Sequence, residues 1–303
     1  MISRPRLHWF RMLFVWHGSV LPKIWVQLLI VAAMAEAITA SKGDILGWKV
    51  GLTFIPFTLI GIALAIFLGF RNSASYERYW EARKLWGALL NASRSLTRQY
   101  LSWVQQPQDA RPFVYAIIAT AHALRHQLRG SDPMEQLRPL LHERLGEQIA
   151  SARSKPAQLL LHLGTTLGGA MSARRLDPQL AAAMDQSLSE MTSVVGGCER
   201  IVTTPIPYAY SVIVHRTVYV YCFLLPFGLV SSIGVLTPLI VTFVAYTFLA
   251  LDALNEELEE PFGLLPNDLP LDFLSTGIEI ALRDMLGETD LPAQALPQDY
   301  VLT

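Results

Sequence analysis

The sequence predicts an all-α membrane protein, with four transmembrane helices and a helical polar body set between the second and the third. Three observations carry this reading. Of 303 residues, 52% are hydrophobic and only 16% charged, where an average soluble domain is about a quarter charged. Mean hydropathy is +0.34 and the net charge is −1. The chain also contains charge-free runs long enough to cross a bilayer core, which takes about 20 helical residues. These values exclude disorder, collagen-like repeats, a nucleic-acid binder built on overall basicity and an ordinary soluble enzyme. Two cysteines, Cys198 and Cys222, are too few for a disulfide scaffold or a Cys-rich zinc module.

The elements follow in order. Residues 1–20 combine Trp9, Phe10, Phe14 and Trp16 with Arg4, Arg6 and Arg11, the composition of a segment lying in the headgroup region. The apolar run starts too late, and lacks the small-residue cleavage site, for a signal peptide. Residues 21–70 hold the first two spans. The first runs from about Leu21 to Thr39, with Lys23 at its start and Glu36 near its outer end, where a carboxylate can snorkel. The second occupies the 21 charge-free residues from Val50 to Phe70, between Lys49 and Arg71.

Between Arg216 and Asp252 lie 35 uncharged residues. One helix of that length would reach roughly 52 Å, against a hydrocarbon core of about 30 Å. Two spans near 217–233 and 236–251 fit instead, with a turn at Ser231-Ser232-Ile233-Gly234 and Thr237-Pro238. Residues 217–251 thus form the third and fourth spans. Basic residues set the orientation. Four sit at or before Lys23, two in the first loop, 17 from Arg71 to Arg216, and none from Thr217 to Leu282. The positive-inside rule therefore places both termini and the central region in the cytoplasm, with both hairpins outside.

Residues 71–216 form the cytoplasmic body, with 17 basic and 11 acidic side chains. Trp80, Leu85, Trp86, Leu89, Leu90, Leu96, Tyr100 and Trp103 make one apolar helical face. Further helices are expected near 111–129, 134–151, 156–172 and 178–200, punctuated by Pro107, Pro112, Gly130, Pro156 and Asp177-Pro178. No run alternates as a strand would. Residues 252–303 turn acidic, beginning with Asp252, Glu256, Glu257, Glu259 and Glu260. That cluster is either a solvated helix face or the negative lining of a cytoplasmic vestibule. The last stretch, Gly287 to Thr303, is a flexible tail or an arm that docks on a neighbour.

Chemistry is sparse. His122 and His126 stand at i, i+4 on a helix, but a metal site needs three or four ligands with supporting partners, so no metal or other cofactor is expected. No Walker loop, dinucleotide fingerprint or nucleophile elbow is present; the chain does not read as an enzyme. Cys198 and Cys222 are small apolar residues, and His162 and His215 interfacial or core groups. The second span is more informative. Ile62, Ile66 and Phe70 recur at i, i+4, i+8 on one face, while Gly61, Ala63, Ala65 and Gly69 keep other faces small. Such a stripe either packs against lipid or protein, or rings an oligomeric pore.

Ile55-Pro56-Phe57, Leu68-Gly69-Phe70, Arg71-Asn72-Ser73 and Tyr76-Glu77-Arg78-Tyr79-Trp80-Glu81-Ala82-Arg83 resemble the bestrophin family in its bacterial branch. Three further landmarks are similar: Ile206-Pro207 with Tyr210, Pro261-Phe262-Gly263, and Asn267-Asp268-Leu269-Pro270-Leu271-Asp272. The resemblance runs from about residue 5 to 285. It implies a homopentameric ion channel around a central pore, in the inner membrane of a bacterium, with monovalent ions and membrane lipid as its only partners besides its own copies. By the same resemblance, Ile62, Ile66 and Phe70 line a hydrophobic neck, and Leu180 is the candidate for a second ring at the cytoplasmic aperture.

Two departures shape the expected activity. Animal bestrophins carry an acidic run after the Pro-Phe-Gly landmark as part of a calcium clasp, whereas Gly263 is followed here by Leu264, Leu265 and Pro266. Calcium takes six to eight oxygen ligands, so no clasp is expected. The animal neck has phenylalanine at two of three positions, whose positive ring edges face an anion; Ile62 and Ile66 offer no such edge. The neck points to monovalent cations such as sodium, as does the resemblance to the bacterial branch, helped by Asp252 and its acidic neighbours if they face the vestibule. The net +6 of residues 71–216 argues for the anion alternative, and a non-conducting membrane-anchored scaffold is the rival from another class.

Overall fold

The computed structural model describes residues 1–4, 8–45, 48–49, 52–105 and 110–303. The landmarks Arg6, Val50 and Pro107 lie outside the described residues. In chain order the helices are α1 (Trp9–Met12), α2 (Leu21–Ala40), α3 (Phe54–Trp103), α4 (Ala110–Leu128), α5 (Met134–Leu137), α6 (Glu143–Ala150), α7 (Lys155–Ser172), α8 (Pro178–Thr203), α9 (Tyr208–Ile233), α10 (Thr237–Glu259) and α11 (Leu271–Met285). A two-residue antiparallel pair, β1 (Asp44–Ile45) with β2 (Trp48–Lys49), sits between α2 and α3. The chain divides into an apolar unit, Arg4–Tyr79 with Pro205–Glu260, and a polar unit, Met1–Ser3, Trp80–Thr204 and Pro261–Thr303.

The apolar unit packs four helical segments around one core. Val31 and Ala35 of α2, Leu64 and Leu68 of α3, Val218 and Leu225 of α9, and Val241, Ala245 and Leu249 of α10 meet there. Two glycines allow the closest approaches. A Cβ at Gly228 would lie 2.6 Å from the Phe57 ring, and one at Gly61 would lie 2.8 Å from the Tyr221 hydroxyl. The stretch 208–259 is long and apolar enough to span, yet the 3-10 turn Gly234–Leu236 cuts it in two. Gly234 takes φ +54, Thr237 Oγ1 donates to the Gly234 carbonyl, and Pro238 opens α10, where its missing N–H costs nothing.

Helix ends differ from the charge-derived boundaries in two places. α9 begins nine residues before position 217, directly after Pro207, because His215 and Arg216 are accommodated inside the helix. α3 does not stop at Arg71 but continues to Trp103.

In the polar unit, α4 is buried on every side from Phe113 to Leu124, as a largely apolar central helix must be. The part of α3 that lies in the polar unit runs antiparallel to α8. Glu81 pairs with Arg200, a Cβ at Gly197 would meet Leu85 at 2.9 Å, and Ser187 bonds Gln99 at 3.1 Å. Tyr100 stacks on Phe113 of α4 at 3.9 Å between centroids. The single helix expected over 134–151 is instead α5, a 3-10 turn at Arg138–Leu140, and α6. Pro139 lacks the N–H to continue α5, Leu141 is extended, and His142 caps α6 by accepting from the Leu145 N–H at 3.2 Å.

The C-terminal stretch docks on its own chain within the single subunit. Met1 and Leu302 exchange backbone hydrogen bonds, Ser3 N–H donates to Tyr300, and Phe273 N–H of α11 donates to Thr303.

Candidate functional site

α3 presents its predicted stripe outward. Buried Phe57, Leu64, Leu68, Arg71 and Ser75 mark the side that faces the unit's own core. At 100° per residue, Ile62 and Ile66 lie about 160° round the helix from Leu64, and Phe70 about 120°. Accordingly they are 56%, 52% and 67% exposed. Three large apolar side chains thus point away from the bundle that holds them. Leu180, in the polar unit, is half-buried in the first turn of α8, whose start is fixed by Asp177 accepting from the Gln179 N–H at 2.8 Å and by Pro178.

The five acidic candidates separate into two groups. Asp252 is 4% exposed, bonded to Arg71 Nη1 at 2.5 Å and to His215 Nδ1 at 2.7 Å. Glu257 is buried and takes Lys23 Nζ at 2.8 Å, while Glu259 lies 3.7 Å from Arg71 Nη2 and accepts from Arg78 Nε through its carbonyl at 3.2 Å. Only Glu256 and Glu260 remain exposed, which narrows a vestibule lining to those two. Glu256 shares a cavity of about 350 Å³ with Arg71, Tyr208, Ser211, His215 and Arg216. The ion pairs also place the start of α2, Arg71 of α3, the first half of α9 and the end of α10 at one end of the unit. The four segments therefore alternate in direction.

Sequence reasoning missed this cluster, although a signal was present. The charge-free windows of the second and fourth spans end on residues of opposite sign, Arg71 and Asp252.

A second network binds α11 to α4. Glu279 pairs with His122 at 2.8 Å and Arg283 at 3.2 Å, and Glu288 with Arg283 at 2.7 Å and Arg111 at 3.1 Å. Asp272 accepts from Arg125 at 3.0 Å and Arg129 at 2.8 Å. His126 faces Arg125, Gln136 and Ser131 rather than sharing a centre with His122. Burial opposes ionisation of Asp272, Glu279 and Glu288, yet their basic partners win and hold all three below the ordinary carboxylate range. Burial pushes the Cys198 thiol up to about 12, so it is inert.

A lowered folded pKa contributes stability that is complete above the unfolded value, near 4, and is lost as pH falls through the folded one. The thermal midpoint of the detergent-solubilised protein is thus expected to drop below about pH 4, with α11 amides exchanging first. Asp272→Asn should flatten that decline; an unchanged pH profile would show that Asp272 does not drive it.

These carboxylates also change the charge of the body. With the tail included, the polar unit carries 15 basic and 17 acidic side chains, so the excess of arginine in residues 71–216 is cancelled within the fold.

Comparison with known proteins gives a consistent result. Residues 1–284 match the family described as Bacterial/Fungal Bestrophin protein. A voltage-dependent anion channel-forming protein of Ralstonia nicotianae is 48% identical over 305 residues, covering 100% of both chains. One of Escherichia coli K12 with the same description is 44% identical over 304 residues, again covering 100% of both. The crystal structure of a bacterial bestrophin homologue from Klebsiella pneumoniae matches with a TM-score of 0.84 and 44% identity, over 88% of this chain and 99% of that one.

Proposed function

Because the chain belongs to the bestrophin family, in its bacterial and fungal branch, and is an ion channel of that family, we propose for it a homopentameric pore whose neck is lined by Ile62, Ile66 and Phe70. The observation that carries this is the exposed apolar face of α3, turned away from the subunit's own core. Five copies arranged about an axis would bring fifteen such side chains into one dry passage. An ion entering it sheds hydration without gaining ligands, so the neck is a barrier that opens by wetting. Leu180 is proposed as the second, cytoplasmic ring. The pore sits in the bacterial inner membrane with both termini in the cytoplasm, and residues 8–20 rest on the lipid headgroups, while Met1–Ser3 join the polar unit.

The permeant species is proposed to be a monovalent cation. Two of the three neck positions are aliphatic, and the polar unit is net acidic once α11 and the tail are counted. A calcium clasp is not part of the proposal, since Asp268 is engaged by the Leu265 N–H and Asp272 by two arginines. A second reading, an anion pore of the same architecture, is favoured by the names of the Ralstonia and Escherichia relatives and by the withdrawal of Asp252, Glu257 and Glu259 into ion pairs. The deciding experiment is the reversal potential of the purified protein in a planar bilayer under a sodium chloride gradient. A value near the sodium equilibrium potential is expected; one near chloride establishes the second reading. A monomer or dimer by native mass, with no current, would leave only the scaffold.

A further inference from the structure

Phe70 and Arg71 are neighbours on α3 with opposite surroundings: Phe70 is 67% exposed, Arg71 only 3%. Adjacent helical residues are fixed about 100° apart. Whatever holds Arg71 therefore sets the direction of Phe70. The nearest holder is Asp252 of α10, with Glu259 farther off at 3.7 Å from Arg71 Nη2: Asp252 Oδ1 takes Arg71 Nη1, and Asp252 Oδ2 takes His215 Nδ1 of α9. Three helices meet on one side chain. A second tie lies seven residues on, where Arg78 Nε donates to the Glu259 carbonyl. Both ties join residues 181 apart, so α3 and α10 run parallel and in register between them.

Between the two ties lie Ser75 of α3 and Asn255 of α10. Ser75 Oγ and both amide atoms of Asn255 are buried there and unpartnered among the described residues, as is Arg71 Nε. A small rotation of α3 against α10 breaks no bond at those positions. An added Cβ at Gly69 meets nothing within 4 Å, so the helix has room beside Phe70.

We infer that Arg71 is the positioning residue of the neck: clamped by Asp252 and His215, it fixes the rotation of α3 and hence the aperture formed at Phe70. This rests on the neck reading above. The clamp differs from an ordinary structural ion pair in what its loss changes. A structural pair alters how many channels assemble; a positioning pair alters what each assembled channel conducts.

The test is single-channel recording of the full-length protein in planar bilayers, with subunit count by native mass for every variant. Asp252→Asn keeps the shape and the acceptor of Asp252 but removes the charge. Arg71→Met with Asp252→Leu replaces the pair by apolar side chains and leaves neither of its two charges buried without the other. Both are expected to change unitary conductance upward by about threefold or more, a loosening of under 1 kcal/mol at the neck. Arg71→Lys, which keeps the charge beside Asp252, should stay close to wild type. Fewer channels of wild-type conductance, or wild-type conductance in both variants, would overturn the inference. The alanine triple at Ile62, Ile66 and Phe70 is recorded alongside. If the triple conducts more and the clamp variants do not, the clamp alone is wrong; if the triple is unchanged, the neck reading has failed.

Discussion

Replacing Ile62, Ile66 and Phe70 by alanine in every subunit is expected to raise unitary conductance about tenfold, equivalent to removing some 1.4 kcal/mol from the barrier. The reasoning starts from hydration. A narrow passage lined only by carbon gives a permeating ion nothing in exchange for its water, and a sufficiently narrow one stays dry. Alanine shortens every lining side chain, which widens the passage and admits water. The same substitutions leave the subunit's own packing almost untouched, because all three side chains are more than half exposed and surface changes usually stay within about 0.5 kcal/mol. Changing all three together also separates the effect from local loosening around Phe70. Native mass must show the wild-type subunit count. A triple variant of wild-type conductance would remove the neck from these positions.

Trp86→Ala is expected to destabilise the protein by about 3–5 kcal/mol, the usual range for emptying a buried tryptophan site. Trp86 lies on α3 within the polar unit and is 1% exposed, among the largest fully buried side chains in the chain. Its neighbours on α3 are committed to α8 and α4, through Leu85 against Gly197 and Tyr100 against Phe113. The surroundings cannot easily close over the void. Thermal unfolding in detergent should show a clearly lowered midpoint, while the channels that survive keep their unitary conductance. Trp86→Phe should lose much less. A wild-type midpoint for the alanine variant would place Trp86 outside the load of that core.

Much of the fold is legible in the sequence because membranes impose a coarse rule. A window without charges long enough to span is visible without any partner, and the start of α3, α9 and α10 fall where such windows lie. The stripe Ile62, Ile66, Phe70 is legible for a similar reason, since helical period alone puts the three on one face. What escapes depends on neighbours distant in the chain. His215 and Arg216 look like a boundary until Asp252, 37 residues on from His215, supplies a partner. The break between α5 and α6 turns on one proline and one histidine cap, which a periodic pattern over 134–151 conceals. The acidic cluster after the fourth span looks uniform in sequence, yet Asp252 and Glu257 are buried in pairs while Glu256 and Glu260 face outward. Local charge density carries no information about which carboxylates are already neutralised. The basic excess of residues 71–216 misleads in the same way, since its counter-charges come from α11 and the residues on either side of it.

The shared carboxylate of Asp252 has a consequence for how this sequence can drift over generations. An exchange at position 252 alone leaves the buried Arg71 guanidinium with only the more distant Glu259, and an exchange at position 71 alone leaves the buried Asp252 carboxylate with only His215. Either intermediate bears a buried charge that has lost its closest partner. His215, with its side chain half in solvent, has more latitude, yet it gains an acceptor only while Asp252 is present. Positions 71 and 252 are therefore expected to be inherited as a matched pair, both ionic or both apolar, with position 215 following them and rarely leading. A lineage that crosses from one pairing to the other must first pass through a less stable ancestor.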